Sequence, residues 1–100
     1  MKISVLGAGS FGGTIAKVLS ENGHSVNLWS HLEEQAEALR NSMEVPFIKG
    51  AILPSNINVT SDLNCINESE IVVVVVPSFA LRETAQNINK ILKEEKIFVI

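Results

Sequence analysis

The sequence predicts an α/β protein, a doubly wound and mostly parallel sheet with helices on both faces, and three observations predict it. The stretch "SVLGAGSFGG", residues 4–13, crowds four glycines onto the end of the apolar run "MKISVL". Segments with strand character alternate with segments of helical periodicity along the whole chain. The run "IVVVVV", residues 71–76, is unbroken and β-branched, so it needs cover on both faces and reads as a central parallel strand.

Residues 2–6 form the first expected strand. Residues 11–21 follow as a helix, with Ile15, Ala16, Val18 and Leu19 at helical spacing and Gly23 as its stop. "SVNLW", residues 25–29, is a second strand. "LEEQAEALRNSM" is a second helix, with Leu32, Ala36, Leu39 and Met43 on one side and glutamates on the other. Residues 44–58 carry Pro46, Gly50 and Pro54 among short apolar pieces, a loop that leads into a short strand near Val59. Ser61 and Asp62 are candidate caps for a short helix through about Asn67. The valine run is ended by Pro77; Ser78 then caps a helix carrying Leu81, Ala85, Ile88, Ile91 and Leu92, and "KIFVI" opens a fifth strand. Strands that alternate with helices pair in parallel through right-handed crossovers.

At 100 residues, 46% hydrophobic and 19% charged, the chain has the composition of one globular domain with a modest core. A net charge of −3 with scattered basic residues argues against a nucleic-acid partner. No stretch approaches the roughly 20 apolar residues of a membrane span, and the glycine-bearing start does not read as a secretory signal, so a cytoplasmic location is expected. The single cysteine, Cys65, excludes an internal disulfide and a metal cluster and reads as a small buried hydrophobe. His24, in "NGHSV", reads as a solvated turn residue.

Gly7, Gly9 and Gly12 stand in GxGxxG spacing between a strand and a helix. In a doubly wound (Rossmann) sheet this turn binds a dinucleotide. The first glycine makes the tight turn, the second lets the pyrophosphate approach the backbone, and the third packs helix on strand. The motif is weak alone but follows a strand, opens a helix and heads an alternating chain. The site expected from the sequence is therefore Gly7, Gly9, Ser10, Phe11 and Gly12, with Ser30 and His31 at the end of the second strand. An Asp or Glu there would hold the ribose hydroxyls of NAD; Ser30 and His31 can instead donate to a 2'-phosphate. The expected cofactor is NADP(H), with NAD(H) as the alternative. Glu33 and Glu34, close by, read as early helix residues facing solvent.

The blocks "MKISVLGAGSFGGTIAKVLSENGHSVNLWSH", "FIKGAILPSNINVTSDL" and "IVVVVVPSFALRE" resemble the amino-terminal part of the bacterial NAD(P)-dependent glycerol-3-phosphate dehydrogenases, in consistent order from residue 1 to 100. The middle block is the more specific, since ketopantoate reductases share the opening and are not expected to carry it. The resemblance implies cofactor contacts at Ser10, Phe11 and His31. It also implies hydride transfer between a nicotinamide and dihydroxyacetone phosphate, a small phosphate substrate, giving sn-glycerol 3-phosphate for phospholipid synthesis. The family commonly has Trp or Tyr at the position of Phe11 and Thr at that of Gly13; a glycine there weakens the first helical turn by roughly 1 kcal/mol relative to alanine.

The resemblance implies that the acid and the phosphate-binding lysines lie beyond residue 100, in part within a helical substrate domain. Residues 1–100 are then the dinucleotide-binding part, ending within the fifth strand, with no catalytic residue, no metal site and no activity alone. A homodimer is expected at full length. The lysines, Lys17, Lys49, Lys90, Lys93 and Lys96 among them, read as solvated surface, with Lys49 beside Gly50 the one of most interest. Two other classes remain open at this point: another NAD(P)-dependent dehydrogenase of the ketopantoate-reductase kind, and a non-catalytic nucleotide-sensing regulatory domain.

Overall fold

The computed structural model describes residues 1–100. Five strands, β1 (Lys2–Leu6), β2 (Ser25–Trp29), β3 (Asn58–Thr60), β4 (Ile71–Val74) and β5 (Ile97–Val99), form one sheet in the order β3-β2-β1-β4-β5. Every pairing is parallel. Three α-helices, α1 (Ser10–Glu21), α2 (Glu33–Ser42) and α3 (Ser78–Ile91), and a 3₁₀ helix at Leu63–Glu68 connect them.

The side chains of β1 divide the core in two, because successive residues of a strand point to opposite faces. Ile3 and Val5 pack on one face with Ala16 of α1 and Ala36 and Leu39 of α2, together with Val45, Leu53 and Ile57 of the long loop. Leu6 packs on the other with Cys65 and Ile66 of the 3₁₀ helix, Val72 and Val74 of β4 and Ile88 of α3. The sheet is doubly wound, and β4 has neighbours on both faces, with Val72 and Val74 buried on one and Ile71 and Val73 half-buried on the other.

Several boundaries differ from the sequence expectation. The strand expected at 71–76 stops at Val74. Val75 N–H adds one further bond to Leu6 O at 2.8 Å, and the chain then turns away toward Pro77, which has no N–H to pair. Pro77, not Ser78, takes the half-helical position ahead of α3, since its ring already fixes φ at −56°. Leu32 is exposed rather than part of the buried stripe of α2. It precedes the helix on extended backbone, where helical spacing does not apply. Ala85 is also exposed, and Thr84 is buried in its place on α3. Asp62, not Ser61, caps the short helix, its carboxylate accepting from Asn64 N–H at 3.0 Å. His24 is half-buried rather than solvated, with its Nδ1 shielded from solvent and without a hydrogen-bond partner.

Candidate functional site

Because β1, β2 and β4 are parallel and in register at Leu6, Trp29 and Val74, their carboxyl ends lie at one level. The chain runs from β1 to β2 and β3 on one side, then crosses to β4 and β5 on the other, so the strand order reverses between β1 and β4. A cleft of about 320 Å³ opens at this reversal, lined by the glycine turn from Gly7 to Gly12, by His31 and Gln35, and by Val75, Val76 and Pro77. In open α/β sheets that is where ligands bind.

Each glycine of the turn has a different reason to be one. Gly7 has φ +124°, and a Cβ on it would lie 2.6 Å from the carbonyl oxygen of Val75. At Gly12 a Cβ would run into the carbonyl of Gly7, so α1 could not lie this close to β1. Gly9 has φ −78°, open to any residue, and a Cβ there would meet no protein atom within 4 Å. Nothing inside the chain accounts for Gly9. Gly13 proves to be a packing residue: a Cβ would come 3.0 Å from Cγ1 of Val45, so the glycine makes room for the loop after α2.

The first hydrogen bond of α1 runs from Gly13 N–H to Gly9 O at 2.8 Å, and no side chain caps the helix. The N–H groups of its first turn thus lack intrahelical acceptors and carry the positive end of the helix dipole into the cleft. An anion with several acceptor oxygens fits that cradle, and no carboxylate lines the cleft to repel it. Phe11 stands on the rim with 70% of its surface exposed.

Gly7, Gly9, Ser10, Phe11, Gly12 and His31, singled out from the sequence, come together in this one cleft. Ser30 does not line it. It is only 1% exposed: its Oγ accepts from Leu32 N–H at 3.2 Å, and its one proton has Oε1 of Gln35 at 2.5 Å and the Leu32 carbonyl at 3.1 Å as acceptors. A hydroxyl folded into the turn after β2 in this way shapes the turn and is not presented to a ligand. Gln35, missed from the sequence, lines the cleft in its place, and no spacing rule would have selected it. Val75 and Val76 were missed because they continue a strand-like run, and only the early end of β4 frees them for the cleft. Glu33 is held by Arg40 at 2.8 and 3.0 Å and by the Ser61 hydroxyl at 3.1 Å, which lower its pKa, the Arg40 bonds foremost. Lys49 lies exposed in the long loop and does not line the cleft. Among the side chains of the chain no group of three His, Cys, Asp or Glu converges on a metal position, and no helix is long and apolar enough to cross a membrane.

The family described as NAD-dependent glycerol-3-phosphate dehydrogenase N-terminus matches residues 2–100. A relative named glycerol-3-phosphate dehydrogenase NAD(P)+ from Chlorobium luteolum is 45% identical over 99% of the chain and 30% of its own length. The crystal structure of a glycerol-3-phosphate dehydrogenase from Coxiella burnetii superposes with a TM-score of 0.89 at 25% identity, over 97% of the chain and 30% of that protein. A putative 2-dehydropantoate 2-reductase from Enterococcus faecalis shares the fold, with a TM-score of 0.73 at 18% identity over 98% of the chain and 32% of that protein. The chain thus spans about 30% of the length of the relatives it matches.

Proposed function

The chain belongs to the family of NAD-dependent glycerol-3-phosphate dehydrogenase amino-terminal domains, and on that premise we propose that it is the dinucleotide-binding part of an oxidoreductase. The reaction is hydride transfer between NAD(P)H and dihydroxyacetone phosphate, giving sn-glycerol 3-phosphate for phospholipid synthesis in the cytoplasm. The observation that carries this reading is Gly9: its backbone tolerates any side chain and its Cβ direction is empty of protein, so the bareness of the turn serves a partner outside the chain.

The residues fit such a cofactor. The N–H groups opening α1, from Ser10 to Gly12, would hold the pyrophosphate, with the helix dipole favouring its charge. The side chains of Phe11 and His31 would contact the rest of the nucleotide, and Gly7 keeps the turn tight enough to present those groups. When bound, the nicotinamide supplies the hydride. The cleft lining contains neither lysine nor carboxylate, so this chain's part is to bind and orient. The proton donor for the developing alkoxide and the cations for the substrate phosphate lie, in this proposal, outside these residues, in part within a helical domain. The whole enzyme is proposed to be a homodimer. Absence of a carboxylate at the end of β2 supports NADPH as the preferred cofactor, with NADH as the alternative.

Titration calorimetry of NADPH against the parent and Gly9→Val tests the reading. The parent should bind, and the variant should keep its thermal midpoint yet lose binding, because the new side chain enters the space over the first turn of α1. A folded variant with unaltered affinity would remove the site.

A further inference from the structure

We infer that Gln35 is a specificity-determining residue that donates its side-chain amide to the 2'-phosphate of NADPH, and that Ser30 is the positioning residue that aims it. The inference rests on the dinucleotide reading above and adds to it which residue reads the adenosine ribose.

The end of the cleft beside β2 offers only two side chains, His31 and Gln35. Gln35 is half-buried in the first turn of α2, and its amide has two ends of opposite character. The Ser30 hydroxyl, itself buried and fixed by Leu32 N–H, has two acceptors in reach of its one proton, Oε1 of Gln35 at 2.5 Å and the Leu32 carbonyl at 3.1 Å, and the shorter contact assigns the proton to Oε1. With Oε1 engaged, the free end of the side chain is Nε2, which makes no hydrogen bond within the protein and offers donors only.

A phosphate presents acceptors only and carries charge, and hydrogen bonds to a charged group are roughly twice as strong as those between neutral groups. A ribose 2'-hydroxyl can also accept from Nε2, without the charge. The surroundings point the same way. Glu33, the nearest acid in sequence to the end of β2 after His31, is occupied by Arg40 and Ser61, and neither it nor Glu34 lines the cleft. The donor set that meets the ribose is therefore neutral amide plus imidazole, unopposed by a carboxylate.

Competing equilibrium titrations of NADPH and NADH against the intact protein test this in the parent, Gln35→Glu, Ser30→Ala and the double variant. Gln35→Glu is isosteric and places an acid in the first turn of a helix, where it favours the fold. It should lower the NADPH-to-NADH affinity ratio by roughly tenfold or more, as a donor is exchanged for a charge of the same sign as the phosphate. Ser30→Ala should lower the ratio less, and adding it to Gln35→Glu should change the ratio no further, since Ser30 acts through Gln35. Loss of stability alone would weaken both nucleotides equally and leave the ratio unmoved. A parent that binds NADPH through Gly9, with the ratio unchanged in Gln35→Glu, overturns this inference and leaves the dinucleotide reading intact. A parent that binds neither nucleotide overturns both.

Discussion

Cys65 sits in a buried polar seam under β1, and its chemistry is set there. The Ser4 hydroxyl, fully buried, is 2.5 Å from the hydroxyl of Ser69 and 3.8 Å from the Cys65 sulfur. The Cys65 carbonyl accepts from Ser4 and from Asn27, both at 3.4 Å. Ser4→Ala would leave the Ser69 hydroxyl buried without its partner, a change expected to cost about 1–3 kcal/mol by denaturant titration. Burial pushes the Cys65 thiol up to about 11, outweighing the Ser4 hydrogen bond that would lower it. The thiol therefore stays protonated and inert near neutral pH, and a thiol reagent at pH 8 should label it only on unfolding. Rapid labelling of the native chain would contradict the burial. Between the ordinary pKa of 9.0 and about 11 the unfolded chain releases this proton and the folded chain does not, so stability should fall as pH rises through that window.

At the glycine turn between β1 and α1, three substitutions at one element have two expected outcomes. Gly7→Ala combines an unfavourable positive φ with a backbone collision at Val75, and Gly12→Ala drives a methyl into the Gly7 carbonyl. Each should lower the thermal midpoint by several degrees, equivalent to roughly 1–3 kcal/mol, whether or not nucleotide is present. Gly9→Ala should leave the midpoint nearly unchanged and remove the upward shift that NADPH gives the parent. If Gly9→Ala proved as destabilising as Gly12→Ala, the turn would be a packing device and no ligand would be needed to explain it. At the neighbouring elements, Glu33 on α2 and Asp62 ahead of the 3₁₀ helix have pKa values lowered by the Arg40 and Asn64 hydrogen bonds respectively. Their contribution is present above the ordinary values of 4.5 and 3.8 and fades as pH falls through the lowered folded values, so an acid titration followed by NMR should find both below their unfolded positions.

Across the whole molecule the groups suited to holding a ligand gather in one cleft at the carboxyl ends of the strands. The cleft gathers backbone donors, Phe11, His31 and Gln35, and its lining holds neither lysine nor carboxylate. The 100-residue chain should therefore bind NADPH yet leave its absorbance unchanged on addition of dihydroxyacetone phosphate. Turnover above the buffer control would place the proton donor inside this chain. At the opposite flank, β5 has β4 on one side only, and Ile97, Phe98, Val99 and Ile100 are exposed beside an apolar groove of about 180 Å³ against α3.

The sequence by itself determined the element order, the parallel sheet and the glycine turn. Each rests on short-range rules: the period of apolar residues, the cover that an all-valine strand needs, and the room a backbone needs when it turns sharply between β1 and α1. Tertiary structure alone decided where β4 stops: after the Val75 N–H bond to Leu6 O the chain leaves the ladder beside Gly7, and that departure turns two strand-like valines into cleft wall. It also decided the end of β2. Ser30 and His31 are neighbours in sequence, but successive residues face opposite ways as an extended strand ends, so one hydroxyl was folded inward and the other side chain outward. Gln35 reached the cleft because α2 lays its first turn against that same strand end, a juxtaposition of residues five apart that neither strand nor helix period encodes.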